Sequence, residues 1–367
     1  MQPVVEYRRA LHRIPELDDR LPETCAYVRS ALASFDLEAF SPIPSGVCAY
    51  LDAGKAETVA FRADMDALPV EEVTGLPYAS AHAGAMHACG HDGHTAMVLA
   101  LAEYAAARRE ALPRNVLFLF QPAEETTGGA EKLCNTGILE RYHAARVFAL
   151  HLWPKLERGR VYCRPGPIMA RSNEVTVTLT GKSVHIGRAA EGIDAMTAGA
   201  EYLRRAYAML ETLPGEEPVV LRFGKMVSGT VRNAVSGGTV LEGSLRTYRD
   251  ETQALCRRRL EEIGREIAAE TGCGAGVHLS EGYPAVWNHE GLYKAVQSAL
   301  GEAAPLSLEA PMLTAEDFSF YQRRVPGLFF LLGVGDTPEL HSPEFCFDDE
   351  AVLPRGVEFL KRLLLLE

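Results

Sequence analysis

The sequence predicts an α/β protein whose main domain is interrupted by a smaller α+β domain. Three observations predict it. Apolar, strand-like runs alternate with helix-like stretches over residues 1–169. The order becomes strand–helix–strand–strand–helix–strand over roughly 170–282, the ferredoxin-like arrangement. The first pattern then resumes over 283–367. At 367 residues the chain is also long for a single core.

The first element is an amphipathic helix around VVEYRRALHRI, ended by Pro15. A second follows Pro22, ETCAYVRSALASF. The apolar runs GVCAYLDA, TVAFRADMD, NVLFLFQPAEE and RVFALHLWP read as buried strands. An Ala-rich helix, HTAMVLALAEYAAARREAL, separates the second from the third. In the inserted part, NEVTVTLTG alternates polar and apolar residues, as a half-exposed strand does. The helix GIDAMTAGAEYLRRAYAMLETL follows, then the strands PVVLRFGKMVSGT and GTVLEGSLRTYR. Asp250 is the expected N-cap of the next helix, which stops before Gly272, and GVHLSEGYP closes the series. GLFFLLGVG is the buried strand of the last segment.

Composition narrows the function. Hydrophobic residues make up 47% and charged residues 23%, as in an ordinary globular protein. A net charge of −12 disfavours nucleic acid and anionic membrane as partners. No apolar run reaches transmembrane length. The N-terminal MQPVVEYRRALHRIPEL lacks a basic-then-apolar leader, so the expected location is cytoplasmic. The eight cysteines are scattered without a CxxC pair and are no disulfide framework. Seven read as small buried residues or idle thiols; Cys89 is set apart by its neighbours.

Those neighbours are MHACGHDGH, residues 86–94, which hold three of the eleven histidines. In open α/β sheets, sites form at the carboxyl ends of strands. The apolar runs end in Asp64 and Asp66, in Glu124 and Glu125, close to His151, and, through a loop, at His341. Each is weak alone. A strand-end Asp is often a turn former, paired glutamates are often a solvated face, and His151 or His341 could be an ordinary core or loop histidine. Together with the cluster they make a candidate metal site. A closed structural zinc site needs four local ligands, and no second Cys/His cluster exists to complete one.

The ordered set FRADMDALPV, MHACGHDGHTAM, QPAEE, ALHLWP, GKSVHIG…GID, SGTVRNAVS, AEDFSFY and LHSPEF resembles the M20 metallopeptidase family. More narrowly, it is similar to the amidohydrolase branch, which holds N-acyl-amino-acid amidohydrolases, hippurate hydrolases and plant hydrolases of indoleacetyl-amino acids. The resemblance runs from LHRIPEL to LHSPEF, nearly the whole chain. It implies an exopeptidase-like α/β/α catalytic domain, at 1–169 and 283–367, with a ferredoxin-like lid and dimerisation domain at 170–282. It also implies two divalent metals per chain, zinc first, with manganese, cobalt or nickel as alternatives. Cys89 is implied as the ligand shared by both metals, His91 and His151 as completing one, and Glu125 and His341 as completing the other. Glu124 matches the general base and Asp66 the acid that orients it or a ligand. His87, His94, Asp64 and Asp92 are read as supporting groups that fix ligand orientation. In the inserted domain His185 is implied as the oxyanion donor, and Asn233 and Arg246 as contacts to polar groups of the substrate. For His185 the plain alternative is a loop histidine; for Arg246 it is a surface cation.

The reaction implied is hydrolysis of N-acyl-L-amino acids, acetyl, benzoyl or other aryl-acyl, by a homodimer paired through the inserted domain. Its GKMVSGT stretch is a candidate edge strand. Deacetylases of the N-acetyl-diaminopimelate type and dipeptidases of the same superfamily are the alternative. A member that only binds ligand would lack one or more of Cys89, His91, Glu124, Glu125, His151 and His341, and all six are present. The chain departs from the family at Ala189 and Ala190, where many relatives carry Pro-His, so a second lid histidine is missing. Near the N-terminus PELDDRLPET departs from the commoner PELGFEE style.

Overall fold

The structure, a computed structural model, describes residues 2–215 and 217–366. The chain divides into two compact units. One comprises Met1–Ile168, Trp287–Pro311 and Asp317–Glu367; the other comprises Met169–Val286 and Met312–Glu316. The short return segment Met312–Glu316 is far from the rest of the second unit in sequence, and reading in sequence order does not reach it.

The first unit is built on an eight-stranded sheet. Its spatial order is Ala39–Phe40, Val47–Leu51, Asn115–Gln121, Thr58–Asp64, Ala144–Pro154, Gly327–Gly335, Val161–Cys163, Leu306–Ser307. The strands Asn115–Gln121, Thr58–Asp64, Ala144–Pro154 and Gly327–Gly335 are mutually parallel. Their carboxyl ends therefore share one edge. Asn115–Gln121 and Thr58–Asp64 are buried at every position. Successive strand side chains point to opposite faces, so both faces of the sheet are covered. Helices Pro3–His12, Pro22–Ser34 and Asp349–Leu364 gather on helix His91–Ala106, which itself packs on the sheet. The fold is α/β, as the alternating pattern predicts.

Helix His91–Ala106 starts earlier and stops sooner than expected. Gly90 precedes it with φ +83°, a left-handed turn that brings the chain sharply into the first helical turn. His91, Asp92 and His94 thereby become helical residues. Pro113 bars continuation at the other end, and a 3₁₀ turn, Arg109–Ala111, intervenes. The helix is buried almost all round, consistent with a stretch that has little polar face. Among the described residues no helix is long and apolar enough to cross a membrane.

The second unit has a four-stranded antiparallel sheet in the order Gly274–Leu279, Arg171–Thr180, Gly238–Thr247, Val220–Ser228. Helices Ala195–Leu210 and Asp250–Thr271 pack against each other and on the sheet. Burial alternates along Arg171–Thr180, as it must where one face meets helices and the other meets water. Asp194 caps the first helix by accepting the N–H of Met196. Asp250 is not the cap of the second: Arg249 holds that position, and Asp250 is the first helical residue. A first-turn carboxylate also suits the helix dipole, so the sequence signal was one residue off.

Buried charge joins three helices in the first unit. Arg8, only 1% exposed, donates to Asp92 Oδ2 at 2.8 Å, Asp349 Oδ2 at 3.1 Å and Tyr78 Oη at 2.8 Å. His12 Nδ1 lies 2.7 Å from the same Asp92 oxygen. Burial raises the Asp92 pKa, but Arg8 and His12 outweigh it and hold the carboxyl far below its ordinary value. Arg8→Met takes the guanidinium from buried Asp92, which keeps only His12, while Asp349 keeps Arg9 at 2.8 and 2.9 Å. Because one buried pair is broken and partners remain, it is expected to lower the unfolding free energy by about 3 kcal/mol, the low end for such a change. Urea denaturation checks this; a loss below about 1 kcal/mol would mean water or His12 takes over the role.

Candidate metal centre

The shared strand edge gathers the ionisable groups. Asp64 ends its strand. Two residues on, the Asp66 carboxylate accepts the backbone N–H of Glu124 at 3.1 Å and that of Glu125 at 3.0 Å, one on each oxygen. This ties the turn after strand Asn115–Gln121 to its neighbour. Ala123 in that turn has φ +57°, unusual for a residue with a Cβ. Its carbonyl accepts the N–H of Gly128 at 3.0 Å. A Cβ on Gly129 would sit 1.8 Å from the Pro122 carbonyl oxygen, so only glycine permits this approach. The two glutamates thus stand on a tightly folded loop.

Three buried histidines show their tautomers through backbone partners. His91 Nδ1 lies 2.8 Å from the Asp66 carbonyl, which can only accept, so Nδ1 carries the proton. Its Nε2 is buried with no hydrogen-bond partner, 3.7 Å from Asp64 Oδ2 and 3.9 Å from Glu125 Oε1. His151 Nδ1 likewise donates to the Leu152 carbonyl at 2.7 Å, and its Nε2 lies 3.6 Å from Cys89 Sγ. Both rings anchor Nδ1 on a backbone carbonyl and turn Nε2 toward the cluster, the arrangement of ligating histidines. His94 differs. Its Nδ1 lies 2.7 Å from Asp64 Oδ1, and its Nε2 accepts the N–H of Leu152 at 2.9 Å.

Two trios of ligand atoms meet at Cys89. One is Cys89, His91 and His151; the other is Cys89, Glu125 and His341, each with its ligand atoms within 4.8 Å of one another. His341 Nε2 lies 3.2 Å from Glu125 Oε1. Its backbone N–H donates to the Ala88 carbonyl at 2.9 Å, and its φ is +66°. His91 also comes together with Glu124 and Glu125.

The electrostatics follow from this crowding. Burial pushes the Cys89 thiol well up, and Glu125, Glu124 and Asp64 push it further. Burial opposes charge on His91, but Asp64, Asp66 and Glu125 outweigh it and hold that ring at about 10. Burial drives His151 well below its ordinary value, with His94 adding to the shift. Burial would raise Glu125, but His341 and His91 hold it down. Carboxylates, a thiol and imidazole nitrogens converging around buried Cys89, with His341 on the exposed side, fit divalent cations, whose charge offsets the crowding and favours the thiolate.

His185, Asn233 and Arg246 lie in the second unit. His185 is exposed and caps a 3₁₀ turn, Ile186–Glu191, with Nδ1 accepting the Gly187 N–H at 3.1 Å. In the neutral ring this leaves Nε2–H as a donor. The Asn233 carbonyl accepts the N–H of Ile186 at 2.9 Å, so the two segments adjoin. Arg246 is half-buried and donates to Ser244 Oγ at 2.8 Å and to Ser172 Oγ. Burial lowers its pKa.

Arg62, Gln121 and Asp317 have no role assigned by sequence pattern. Arg62 donates to Asp64 Oδ2 at 2.6 Å, Asp317 Oδ1 at 2.8 Å and Gln121 Oε1 at 2.9 Å. Gln121 donates to both Asp317 oxygens. The residues stand inside FRADMD, QPAEE and AEDFSFY, and an arginine within an otherwise apolar strand is the signal the sequence offers.

The model of peptidase family M20/M25/M40 matches residues 60–366. The chain belongs to this family. An uncharacterized hydrolase of Staphylococcus aureus (strain USA300) is 34% identical over 98% of this chain and 97% of its own length. The crystal structure of the Bacillus subtilis YXEP protein, a dinuclear metal-binding peptidase from the M20 family, is 30% identical, with a TM-score of 0.86 over 99% of this chain and 96% of that one. A protein of Klebsiella pneumoniae named for aminobenzoyl-glutamate utilization shares the fold, at 20% identity and a TM-score of 0.68, covering 99% of this chain and 95% of that one. This M20 chain is therefore a metallo-hydrolase, and its ligand-type clusters suit divalent cations.

Proposed function

We propose that the chain is an N-acyl-L-amino-acid amidohydrolase with two divalent cations, zinc first, and manganese, cobalt or nickel as alternatives. The observation that carries the dinuclear reading is the pair of trios sharing Cys89. Cys89 would be the ligand shared by both metals; His91 and His151 would hold one, and Glu125 and His341 the other. When bound, the cations acidify water and polarise the amide carbonyl. Glu124 takes the proton from the attacking water and delivers it to the leaving amine. Asp66 holds Glu124 and Glu125 in place through their backbone. His185 offers Nε2–H to the carbonyl oxygen as charge develops on it. Asn233 and Arg246 hold polar groups of the substrate. Arg246 suits a carboxylate because its hydrogen-bond partners are neutral hydroxyls. The products are a carboxylic acid and a free amino acid.

The functional assembly is a homodimer paired through the second unit, which serves as lid and dimerisation domain. Strand Val220–Ser228 ends its sheet, and Met226 and Val227 are 39% and 54% exposed. Such an edge is a template for strand pairing. The enzyme acts in the cytoplasm.

Acetyl-, benzoyl- and indoleacetyl-amino acids, assayed after metal reconstitution, test the reaction class. Activity confined to dipeptides or N-acetyl-diaminopimelate would overturn it. Chelation is expected to abolish turnover, and Cys89→Ala to lower bound metal by elemental analysis. A Cys89→Ala variant that kept both metals at full occupancy would remove the bridging role.

A further inference from the structure

We propose that His94 is a positioning residue: a neutral strut between Asp64 and the Leu152 amide that sets the peptide carrying His151. The proposal rests on the reading of His151 as a ligand. Asp64, His91 and His94 offer atoms close enough for a cation of their own. The atoms of Asp64 and His94 are already engaged with each other, with Arg62 and with Leu152. A backbone N–H can only donate, so the 2.9 Å contact from Leu152 makes His94 Nε2 an acceptor. The ring proton is then on Nδ1, donated to Asp64 Oδ1 at 2.7 Å. The other Asp64 oxygen takes Arg62 at 2.6 Å. No lone pair of His94 remains for a metal.

What the ring does instead is fix a peptide. Leu152 is held on both sides: its N–H by His94, and its carbonyl by the Nδ1–H of His151 at 2.7 Å. The His94 and His151 rings lie 4.3 Å apart between centroids, so His94 also walls one side of the ligand ring. Behind His94 the chain of bonds continues through Asp64 to Arg62, Gln121 and Asp317. The strut thus links helix His91–Ala106 to the ends of three parallel strands. The pairing with Thr58–Asp64 ends at Ala149, so His151 and Leu152 are laddered on one side only, to Gly327–Gly335.

Two measurements test this. In the wild-type protein, long-range ¹H–¹⁵N spectra are expected to show His94 as the Nδ1–H tautomer both metal-depleted and zinc-loaded. A zinc-induced change at His94 Nε2 like those of His91 and His151 would make it a ligand and overturn the proposal. Second, His94→Asn keeps a donor toward Asp64 but cannot reach Leu152. In competition titrations with Zn²⁺ and a chromophoric chelator, one of the two metal equivalents is expected to weaken about 10- to 100-fold and the other to hold. Equal weakening of both, or of neither, would reduce His94 to packing. Fewer than two equivalents in the wild type would instead sink the dinuclear reading, and the tautomer measurement would still judge His94.

Discussion

Glu124→Gln is expected to lower turnover by about two to four orders of magnitude while fold and metal content stay unchanged. The substitution keeps size and shape and removes only the basic oxygen. The backbone of Glu124 is held by Asp66 through its N–H, which the change does not touch. Glu124 also lies outside both trios that meet at Cys89. The competing arrangement is on the same loop: His91, Glu124 and Glu125 lie close enough to share a cation. If that trio were the true ligand set, Glu124→Gln would lose metal together with activity. Glu125→Gln serves as the internal contrast and is expected to release one metal. Steady-state kinetics and elemental analysis on the two variants separate the roles, and metal loss in Glu124→Gln alone would mean they had been exchanged.

How much of this could be read without coordinates depends on whether the signal lies in side-chain type or in backbone direction. Residue type carries the strand-end acids, the HACGHDGH cluster and the alternating strand of the second unit. Chain order carries the βαββαβ series, because its elements follow one another without long-range exchange. The distinction among the histidines of the cluster was not accessible. His91 and His94 lie three residues apart on one helix, and their spacing gives both the same standing. What separates them is whether Nε2 meets a backbone N–H, and that N–H belongs to Leu152, 58 residues further on. The Arg62–Asp317 bond joins residues 255 positions apart, so no local pattern could announce it. Asp250 shows a different limit. Both an N-cap and a first-turn position favour aspartate, one for its side-chain acceptor and one for its charge, so type alone leaves a one-residue ambiguity. The left-handed Ala123 is a further case, since alanine gives no signal of a positive φ and the surrounding contacts must hold it.

The second large effect is expected from subunit mixing. His185 lies in the second unit and every proposed metal ligand in the first. We predict that His185 of one subunit serves the metal centre of its partner. His185→Ala and Glu124→Gln are each expected to be nearly inactive. Mixed and reassembled at random, about half of the dimers carry one chain of each kind. In such a dimer one site combines an intact Glu124 with the partner subunit's intact His185, and the other site holds both defects. Half of the dimers with half of their sites restored gives about a quarter of wild-type activity. If His185 serves its own chain, each site keeps one defect and mixing restores nothing. Subunit exchange is verified independently, by mass-tagged chains, so an inactive mixture that has demonstrably exchanged would exclude the cross-subunit role. The His185 turn would then have to reach the metal centre of its own chain, and the exposed edge Val220–Ser228 would bear on assembly without bearing on catalysis.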